Sequence, residues 1–245
     1  MIIPAHNEEG NLPPLIDRIY QTMGRTLVPY EIVIVNDHSE DDTLDEVRSL
    51  ARSHVEILAV HNDGPKGMGN ALKMGINEAT GDVLTFVMAD GVDPIENLPG
   101  MLRTLEERKL DVLISSRYLR NQDLSGVSFS YVFWSRMYRF LARILLGLTT
   151  KDPTNAFRMV RRSFFECYTP RAGGFAFSAE VTLEAFSRGL RIGEIPGPHG
   201  RRTRGRSSFK FRSVAIPYVS TLIRAFLAKP IVKKARDRAV ESPNV

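Results

Sequence analysis

Short apolar runs alternate with amphipathic stretches through the first 115 residues, and this alternation limits the folds open to the chain. The runs that predict strands are Met1–Pro4, Glu31–Asn36, Val55–Val60, Asp82–Met88 and Asp111–Ser115. The stretches that predict helices are Asn11–Met23, a segment from Asp41 or Asp42 to about Ser53, Gly69–Ala79 and Ile95–Lys109. Strands separated by helices are typical of right-handed crossovers in a parallel sheet. We therefore predict an α/β fold in which a mainly parallel sheet is flanked by helices.

Polar residues directly follow four of the predicted strands. They form the segments 4–8 (PAHNE), 36–39 (NDHS), 90–93 (DGVD) and 115–117 (SSR). Ligands of such sheets bind beyond the carboxyl ends of the strands. The sequence therefore predicts that these four segments line one cleft.

Asp90 and Asp93 leave two roles open. Hard divalent cations prefer carboxylate oxygens, and a turn at Gly91 would let both aspartates reach one ion. Asp93 before Pro94 is also a typical helix start, with the aspartate as its cap. The residues alone do not decide between these roles.

Glu8 and Asp37 carry similar alternatives. Either carboxylate could accept hydrogen bonds from a nucleobase or a ribose. Glu8 could instead cap the helix that begins near Leu12, and Asp37 could belong to a turn with Ser39.

The glycines of residues 64–75 (GPKGMGNALKMG) resemble a dinucleotide-binding fingerprint but fail its test. That fingerprint follows the first strand and needs a third glycine, where this chain has Leu72. We therefore expect Gly67 and Gly69 to permit a close backbone approach to a ligand or another strand.

Charge divides the chain into an acidic and a basic part. Residues 1–130 hold 11 Lys and Arg against 21 Asp and Glu, whereas residues 131–245 hold 22 against 7. The acidic part suits a metal, and the basic part suits phosphate or an anionic membrane face, although solubility alone is the simpler explanation. Cys167 is the single cysteine, so no internal disulfide forms, and the composition fits a reducing compartment.

Two basic amphipathic helices are predicted in the second half, Phe129–Leu148 and Val214–Leu227. Such helices favour contact with a membrane surface, and the alternative is that their apolar faces pack on the sheet. The segment 200–212 (GRRTRGRSSFKFR) has a phosphate-binding composition. Phe209 and Phe211 could stack on bases and leave a nucleic-acid interpretation open, but nucleic acid is not among the partners that we expect.

The order of the motifs resembles that of family-2 glycosyltransferases with a GT-A fold, which is Rossmann-like. It is most similar to their dolichyl-phosphate mannosyltransferase branch and its bacterial polyprenyl-phosphate relatives. The resemblance runs from Pro4 to about Lys210. The residues that carry it include Pro4, Asn7, Glu8, Val35, Asp37, Ser39, Gly67, Gly69, Ser116, Arg117, Tyr118, Asp152, Thr154, Phe157, Arg158, Glu180, Arg202, Gly205 and Ser207.

The chain departs from the family pattern at several positions. His6 replaces a tyrosine, and Met88 replaces the first aspartate of the central Asp-Ala-Asp. Asp90 matches the metal ligand, and Asp93 is our candidate to compensate for the missing carboxylate. Tyr131 stands where an arginine is expected, and Lys210 is the nearest basic residue to a lysine position that Ser208 occupies.

The resemblance implies a set of site residues. Those that it implies for the nucleotide sugar are Pro4, His6, Glu8, Val35, Asp37, Ala89 and Asp90. Those for the phosphate or acceptor are Arg117, Ser135, Arg202, Ser207 and Lys210. Asp90 and Asp93 would hold Mg²⁺ or Mn²⁺, and the residues implied in catalysis are Asp90, Arg117, Glu180 and Arg202.

The implied reaction is inverting transfer of a mannose-type or glucose-type sugar from a GDP or UDP donor to a polyprenyl or dolichyl phosphate. We expect a GT-A domain over 1–212 and a C-terminal amphipathic helix with a basic tail over 213–245. The expected location is the cytoplasmic face of a membrane, bound peripherally, with room for a membrane-anchored partner subunit or a homo-oligomer. Alternatives are a soluble or polysaccharide acceptor and a non-catalytic nucleotide-sugar binder.

Overall fold

The computed structural model describes residues 1–119, 129–197 and 215–228. Its strands are β1 (Ile2–Ala5), β2 (Ile32–Asn36), β3 (Ile57–His61), β4 (Val83–Phe86), β5 (Val112–Ser116), β6 (Arg158–Arg161) and β7 (Ile192–Pro196). Its helices are α1 (Leu12–Met23), α2 (Thr43–Ser53), α3 (Met68–Glu78), α4 (Leu98–Glu107), α5 (Phe129–Leu146), α6 (Arg162–Glu166), α7 (Phe177–Ser187) and α8 (residues 215–228).

The seven strands form one sheet in the order β3-β2-β1-β4-β6-β5-β7. All neighbouring pairs are parallel except those of β6, which runs antiparallel to both β4 and β5. The prediction of a mainly parallel sheet flanked by helices is therefore confirmed. Because β1, β2, β4 and β5 run in the same direction, their carboxyl ends meet at one edge.

Successive side chains of the strands point into two cores, one on each face of the sheet. Ile3 packs with the helix residues Leu15 and Met101, whereas Ile2 packs with Leu72 and Phe177. Helices α1, α2 and α4 therefore cover one face, and α3 and α7 cover the other. This three-layer arrangement leaves the carboxyl edge of the sheet to the loops.

A third apolar cluster joins α5, α7 and α8 through Tyr138, Ala142, Leu183 and Leu222. Phe140 and Ile144 lie on another face of α5 and are 59% and 63% exposed, whereas Leu148, just after α5, is buried in the cluster. No helix among the described residues is long and apolar enough to cross a membrane.

The predicted helix Ile95–Lys109 is confirmed, begins at Ile95 and ends at Glu107. It opens as a 3-10 turn over Ile95–Asn97 and continues as α4. Asp93 does not cap it, because Pro94 occupies the cap position and the Asp93 carboxylate accepts a hydrogen bond from the Met88 N–H. The helix-cap alternative for Asp93 is therefore wrong.

Candidate functional site

Asp37 lies directly after β2 and is buried at the carboxyl edge of the sheet. Its Oδ1 accepts from the Asn62 side-chain amide at 2.7 Å, and its Oδ2 accepts from the Gly67 N–H at 2.8 Å. Its own N–H donates to the Ala5 carbonyl at the end of β1. Asp37 thus joins the end of β2 to the end of β1 through its backbone and to the connection between β3 and α3 through its carboxylate.

The segment after β1 folds against the segment after β2. Pro4 pairs with Val35 in the sheet, and His6 Nδ1 lies 2.8 Å from the Asp37 carbonyl oxygen. Asn7 adopts a φ of 54°. This left-handed turn, which asparagine tolerates better than most residues, brings the N–H of Asn7 within 3.1 Å of the Ser39 hydroxyl.

Glu8 is buried beside the start of α1. Its N–H donates to the Thr43 hydroxyl at 2.8 Å, and its Oε2 accepts from the Asn11 side-chain amide at 2.7 Å. Asn11 occupies the cap position of α1 without a side-chain cap bond to the helix backbone. Glu8 therefore orients the residue at the cap and is not itself the cap.

Gly67 and Gly69 pack against the backbone of the loop before α7. A Cβ atom on Gly67 would overlap the Gly173 carbonyl oxygen, and one on Gly69 would overlap that of Ala172. The Asn70 N–H donates to the Gly173 oxygen at 3.0 Å. The close backbone approach is present, but its partner is this loop and not a strand as predicted.

The loop after β4 is tied down from two sides. The Asp93 carboxylate accepts from the Met88 N–H at 2.7 Å, across the loop. From α1, Arg18 donates to the carbonyl of Gly91 at 2.7 Å and to that of Asp93 at 3.1 Å. Gly91 has a φ of 70°, which favours glycine. These bonds fix the turn that presents Asp90.

Asp93 lies in an unusual electrostatic environment. Burial raises the pKa of its carboxyl to about 7, and the negative charge of Asp90 adds to this shift. The bond from the Met88 N–H and the positive charges of Arg117 and Arg18 oppose it.

This loop could bind a divalent cation through two carboxylates together with substrate phosphates and water. It does not offer a complete set of protein ligands. Within the described ranges, no three His, Cys, Asp or Glu side chains are grouped to hold a metal. Magnesium is commonly bound by one or two carboxylates together with substrate phosphates and water. Asp90 and Asp93 supply that number. Asp93 also brings a carboxylate to the backbone of residue 88, where the family aspartate is missing.

At the end of β5, Arg117 forms a buried ion pair with Asp152. Its backbone N–H and Nε donate to Asp152 Oδ2 at 2.9 and 2.8 Å, and its Nη2 donates to Oδ1 at 2.8 Å. The Asp152 side chain is fully buried, whereas that of Arg117 is 17% exposed. The next residue, Tyr118, places its hydroxyl 3.0 Å from Ser135 Oγ on α5. Ser135 thus contacts Tyr118, the residue that follows Arg117.

Glu180 lies in the first turn of α7, and its contacts hold the preceding loop. Its carboxylate accepts from the Tyr168 hydroxyl at 2.8 Å and from the N–H groups of Arg171 and Ala172 at 3.2 and 2.6 Å. Arg224 of α8 lies 3.4 Å from the same carboxylate. Glu180 therefore positions the loop that packs on Gly67.

The remaining predicted residues divide into two groups. Val35 and Ala89 are buried apolar side chains, so only their backbone atoms could meet a ligand. Arg202, Ser207 and Lys210 lie outside the described residues.

Two contact residues of the site are not singled out by the sequence patterns: Asn62 holds Asp37, and Arg18 holds the loop after β4. Asp152 belongs to the family pattern, and the structure adds that it orients Arg117. Asn62 could have been found, because it follows β3 as Asp37 follows β2. Arg18 lies in the middle of a helix and gives no such signal.

The sheet order, the antiparallel β6 and the acidic loop after β4 define a GT-A type of glycosyltransferase fold. A sequence profile of glycosyl transferase family 2 matches residues 1–169. The chain belongs to this family.

Curated relatives include two dolichol-phosphate mannosyltransferases. The one from Pyrococcus furiosus is 29% identical over 87% of this chain, and the one from Saccharomyces cerevisiae is 26% identical over 94%. An undecaprenyl-phosphate 4-deoxy-4-formamido-L-arabinose transferase from Proteus mirabilis is 27% identical over 86%. The chain spans 60%, 87% and 62% of these relatives' lengths, respectively.

Solved structures of glucosyl-3-phosphoglycerate synthase from Mycobacterium tuberculosis share the fold. The complex with phosphoglyceric acid superposes with a TM-score of 0.69, and the complex with Mn²⁺ and UDP-glucose with 0.67. Each is 20% identical to this chain and covers 91% of it. The match covers 78% of the synthase chain in the first complex and 77% in the second. At this identity the likeness establishes the fold, and those enzymes bind Mn²⁺ or Mg²⁺ with a uridine nucleotide.

Proposed function

We propose that this chain is an inverting glycosyltransferase that moves a mannose-type or glucose-type sugar from a GDP or UDP donor to a polyprenyl or dolichyl phosphate. The named relatives transfer sugars to dolichol phosphate or undecaprenyl phosphate, which supports this acceptor class. The proposal places the protein peripherally at the cytoplasmic face of a membrane.

One observation carries the acceptor assignment. Helix α5 contributes Ser135 to the end of β5 and also exposes large apolar side chains, among them Trp134, Phe140 and Ile144. Helix α8, packed beside it, exposes a second set, Ile216, Val219, Ile223, Phe226 and Leu227. An exposed apolar surface of this kind on a soluble domain marks an interaction site. The surface adjoins Ser135, which we propose to contact the acceptor phosphate, as a lipid phosphate requires.

Charge on the same helix agrees with a membrane surface. Arg136 and Arg143 of α5 are exposed. Basic residues beside an apolar helix face are attracted to anionic lipid headgroups, by about 1 kcal/mol for each residue near the surface. The two helices would therefore lie in the interface and bring the cleft to the lipid phosphate.

On the donor side, we assign Pro4, His6, Glu8 and Asp37 to the nucleoside. They lie together where β1 and β2 end, with Asp37 fixed by Gly67. Asp90, with Asp93, would hold Mg²⁺ or Mn²⁺ on the diphosphate, and the metal supplies charge neutralisation of the leaving group. The loop contacts of Arg18 keep Asp90 in place for this role.

In the proposed step, an oxygen of the acceptor phosphate attacks the anomeric carbon, and the bond from that carbon to the donor diphosphate breaks. The nucleoside diphosphate leaves with the electron pair, and the configuration inverts. The acceptor oxygen is already anionic near neutral pH, so the step needs no strong general base. Arg117 and Ser135 position the attacking phosphate. Glu180 acts on this step by holding the loop against Gly67.

Liposome flotation separates this proposal from a soluble acceptor. We expect the protein to float with anionic liposomes, and the Phe140→Ser/Ile144→Ser variant to remain behind. Each replacement removes about 1–2 kcal/mol of apolar transfer free energy. A matched control is Leu27→Ser/Val55→Ser, because these side chains are 103% and 97% exposed but lie in the connections before β2 and β3, at the opposite edge of the sheet. A wild-type protein that stays unbound and glycosylates a water-soluble acceptor would favour the soluble-acceptor alternative.

A further inference from the structure

Arg139 lies one helical turn after Ser135 on α5, and the surrounding residues hold its guanidinium in place. Its Nε and Nη1 donate to the carbonyl oxygens of Ser135 and Lys151, each at 3.2 Å. Its central guanidinium carbon stands 3.8 Å from the centre of the Tyr118 ring, within cation–π distance. These contacts fix a cation beside the end of β5.

The charge of Arg139 has no carboxylate partner over the described ranges. Both of its hydrogen bonds end on neutral carbonyls, and its Nη2 makes none there. The neighbouring cation, Arg117, is 5.8 Å from the same tyrosine ring and is matched by Asp152. Glu194, the other carboxylate near Lys151, is bonded to the N–H groups of Lys151 and Asp152. A guanidinium that is fixed in place, and whose Nη2 has no hydrogen bond to a described residue, suits an anionic ligand.

We propose that Arg139 is a second guanidinium ligand for the phosphate monoester of the acceptor, beside Arg117 and the Ser135 hydroxyl. The inference rests on the proposed function, because it assumes that this end of the cleft receives the acceptor. A phosphate monoester carries about −1.5 to −2 charges near pH 7 and three acceptor oxygens. Arg139 supplies a positive charge that no described carboxylate offsets, and its planar fork suits contact with the oxygens of a phosphate, whereas the charge of Arg117 is already offset by Asp152.

A purely structural role for Arg139 makes a different prediction. If the residue only ties α5 to the segment at Lys151, its loss lowers stability and leaves acceptor affinity alone. The variant Arg139→Gln removes the charge while keeping a polar side chain, and Arg139→Lys restores the charge without the planar fork. Arg143 is the matched control, because it lies one turn further along α5 and is exposed.

The experiment measures the KM of each substrate with two acceptors, a water-soluble short-chain prenyl phosphate and a polyprenyl phosphate in anionic vesicles. We expect Arg139→Gln to raise the KM of both acceptors about tenfold or more, the loss of one charge-assisted contact, with the donor KM unchanged. Arg139→Lys is expected to recover part of this loss. Arg143→Gln is expected to leave the KM of the soluble acceptor unchanged. An unchanged acceptor KM in Arg139→Gln overturns the proposal.

Two further outcomes separate the possible failures. If Arg139→Gln acts only with vesicles and as strongly as Arg143→Gln, then Arg139 contacts lipid headgroups and the proposal is wrong. If the wild type transfers sugar to neither acceptor, calorimetric titration with the prenyl phosphate alone replaces the kinetics. Binding that Arg139→Gln weakens would then uphold the phosphate site while the proposed function fails. Absence of binding by the wild type would overturn the proposal.

Discussion

Replacing Asp152 by asparagine tests how the cleft is held together at the end of β5. Asp152 is fully buried and accepts three hydrogen bonds from Arg117, two of them from the guanidinium. Asparagine has a similar shape, but it lacks the charge and turns an amide donor toward the guanidinium. Removing one partner of a buried ion pair costs about 3–5 kcal/mol, because the other charge stays buried and unmatched. We expect a loss near the lower limit, since Arg117 keeps 17% exposure.

Urea unfolding with linear extrapolation measures this loss directly. A matched control is Glu106→Gln, which breaks the Arg161–Glu106 pair at a distance of 3.0 Å, where the side chains are 29% and 54% exposed. Surface pairs contribute about 0–1 kcal/mol, so this variant should stay within that range. Sugar transfer by Asp152→Asn should also fall, because Arg117 loses its orientation. A stability loss below about 1 kcal/mol, equal to that of the control, would refute the reasoning.

Three further predictions follow from the loops of the site. Gly67→Ala should weaken nucleotide binding, because Gly67 has a φ of 141° and a Cβ there would overlap the Gly173 carbonyl. Calorimetry measures this binding. The control variant Gly100→Ala, which has open space around the new Cβ, should bind the nucleotide normally. Arg18→Gln should lower sugar transfer while the KM of the acceptor stays unchanged, because the loop that presents Asp90 loses two donors. In metal-free protein, the free energy of unfolding should fall as pH rises from about 4 to about 7, because folded Asp93 keeps a proton that the unfolded chain releases near 3.8. Asp93→Asn should remove this slope in urea titrations at several pH values, and an unchanged slope would contradict the assignment.

The first half of the fold is predictable because its strands are β-branched and its helices are amphipathic. EIVIVN, residues 31–36, is followed by a polar turn and forms the buried strand β2 at nearly the predicted bounds. The family resemblance is confirmed by the profile match over residues 1–169. Helix starts are less predictable, because Asp41 and Asp42 are equivalent in sequence. In the structure Asp42 takes the cap position of α2, while Asp41 accepts the Thr43 N–H.

The second half is harder to predict, and β6 shows why. Its four residues, RMVR, include a fully buried arginine, which no pattern of alternating apolar residues would place in the centre of a sheet. Arg158 is accommodated because it donates to the carbonyls of Ser178 and Pro153 and to the Thr182 hydroxyl. Burial lowers the pKa of Arg158 to about 10. Such compensation depends on tertiary contacts that a single sequence does not reveal.

The site is predictable in its components and not in its contacts. Strand-end positions identify Asp37, Asp90 and Arg117, because parallel strands bring their carboxyl ends to one edge. The partner of each is set by loop geometry. Glu180, which the resemblance implies in catalysis, bonds the loop packed against Gly67, and a direct contact with the sugar or acceptor stays a prediction.

The most direct test of the account is sugar transfer from a panel of radiolabelled GDP- and UDP-sugars to polyprenyl phosphate, followed by organic extraction. The assay is run with Mn²⁺, with Mg²⁺ and with chelator. The account predicts label in the organic phase for one donor, lost on addition of chelator and in an Asp90→Ala variant. Label that stays in the aqueous phase as hydrolysed sugar or a soluble product, with none in the lipid, would contradict the proposed acceptor.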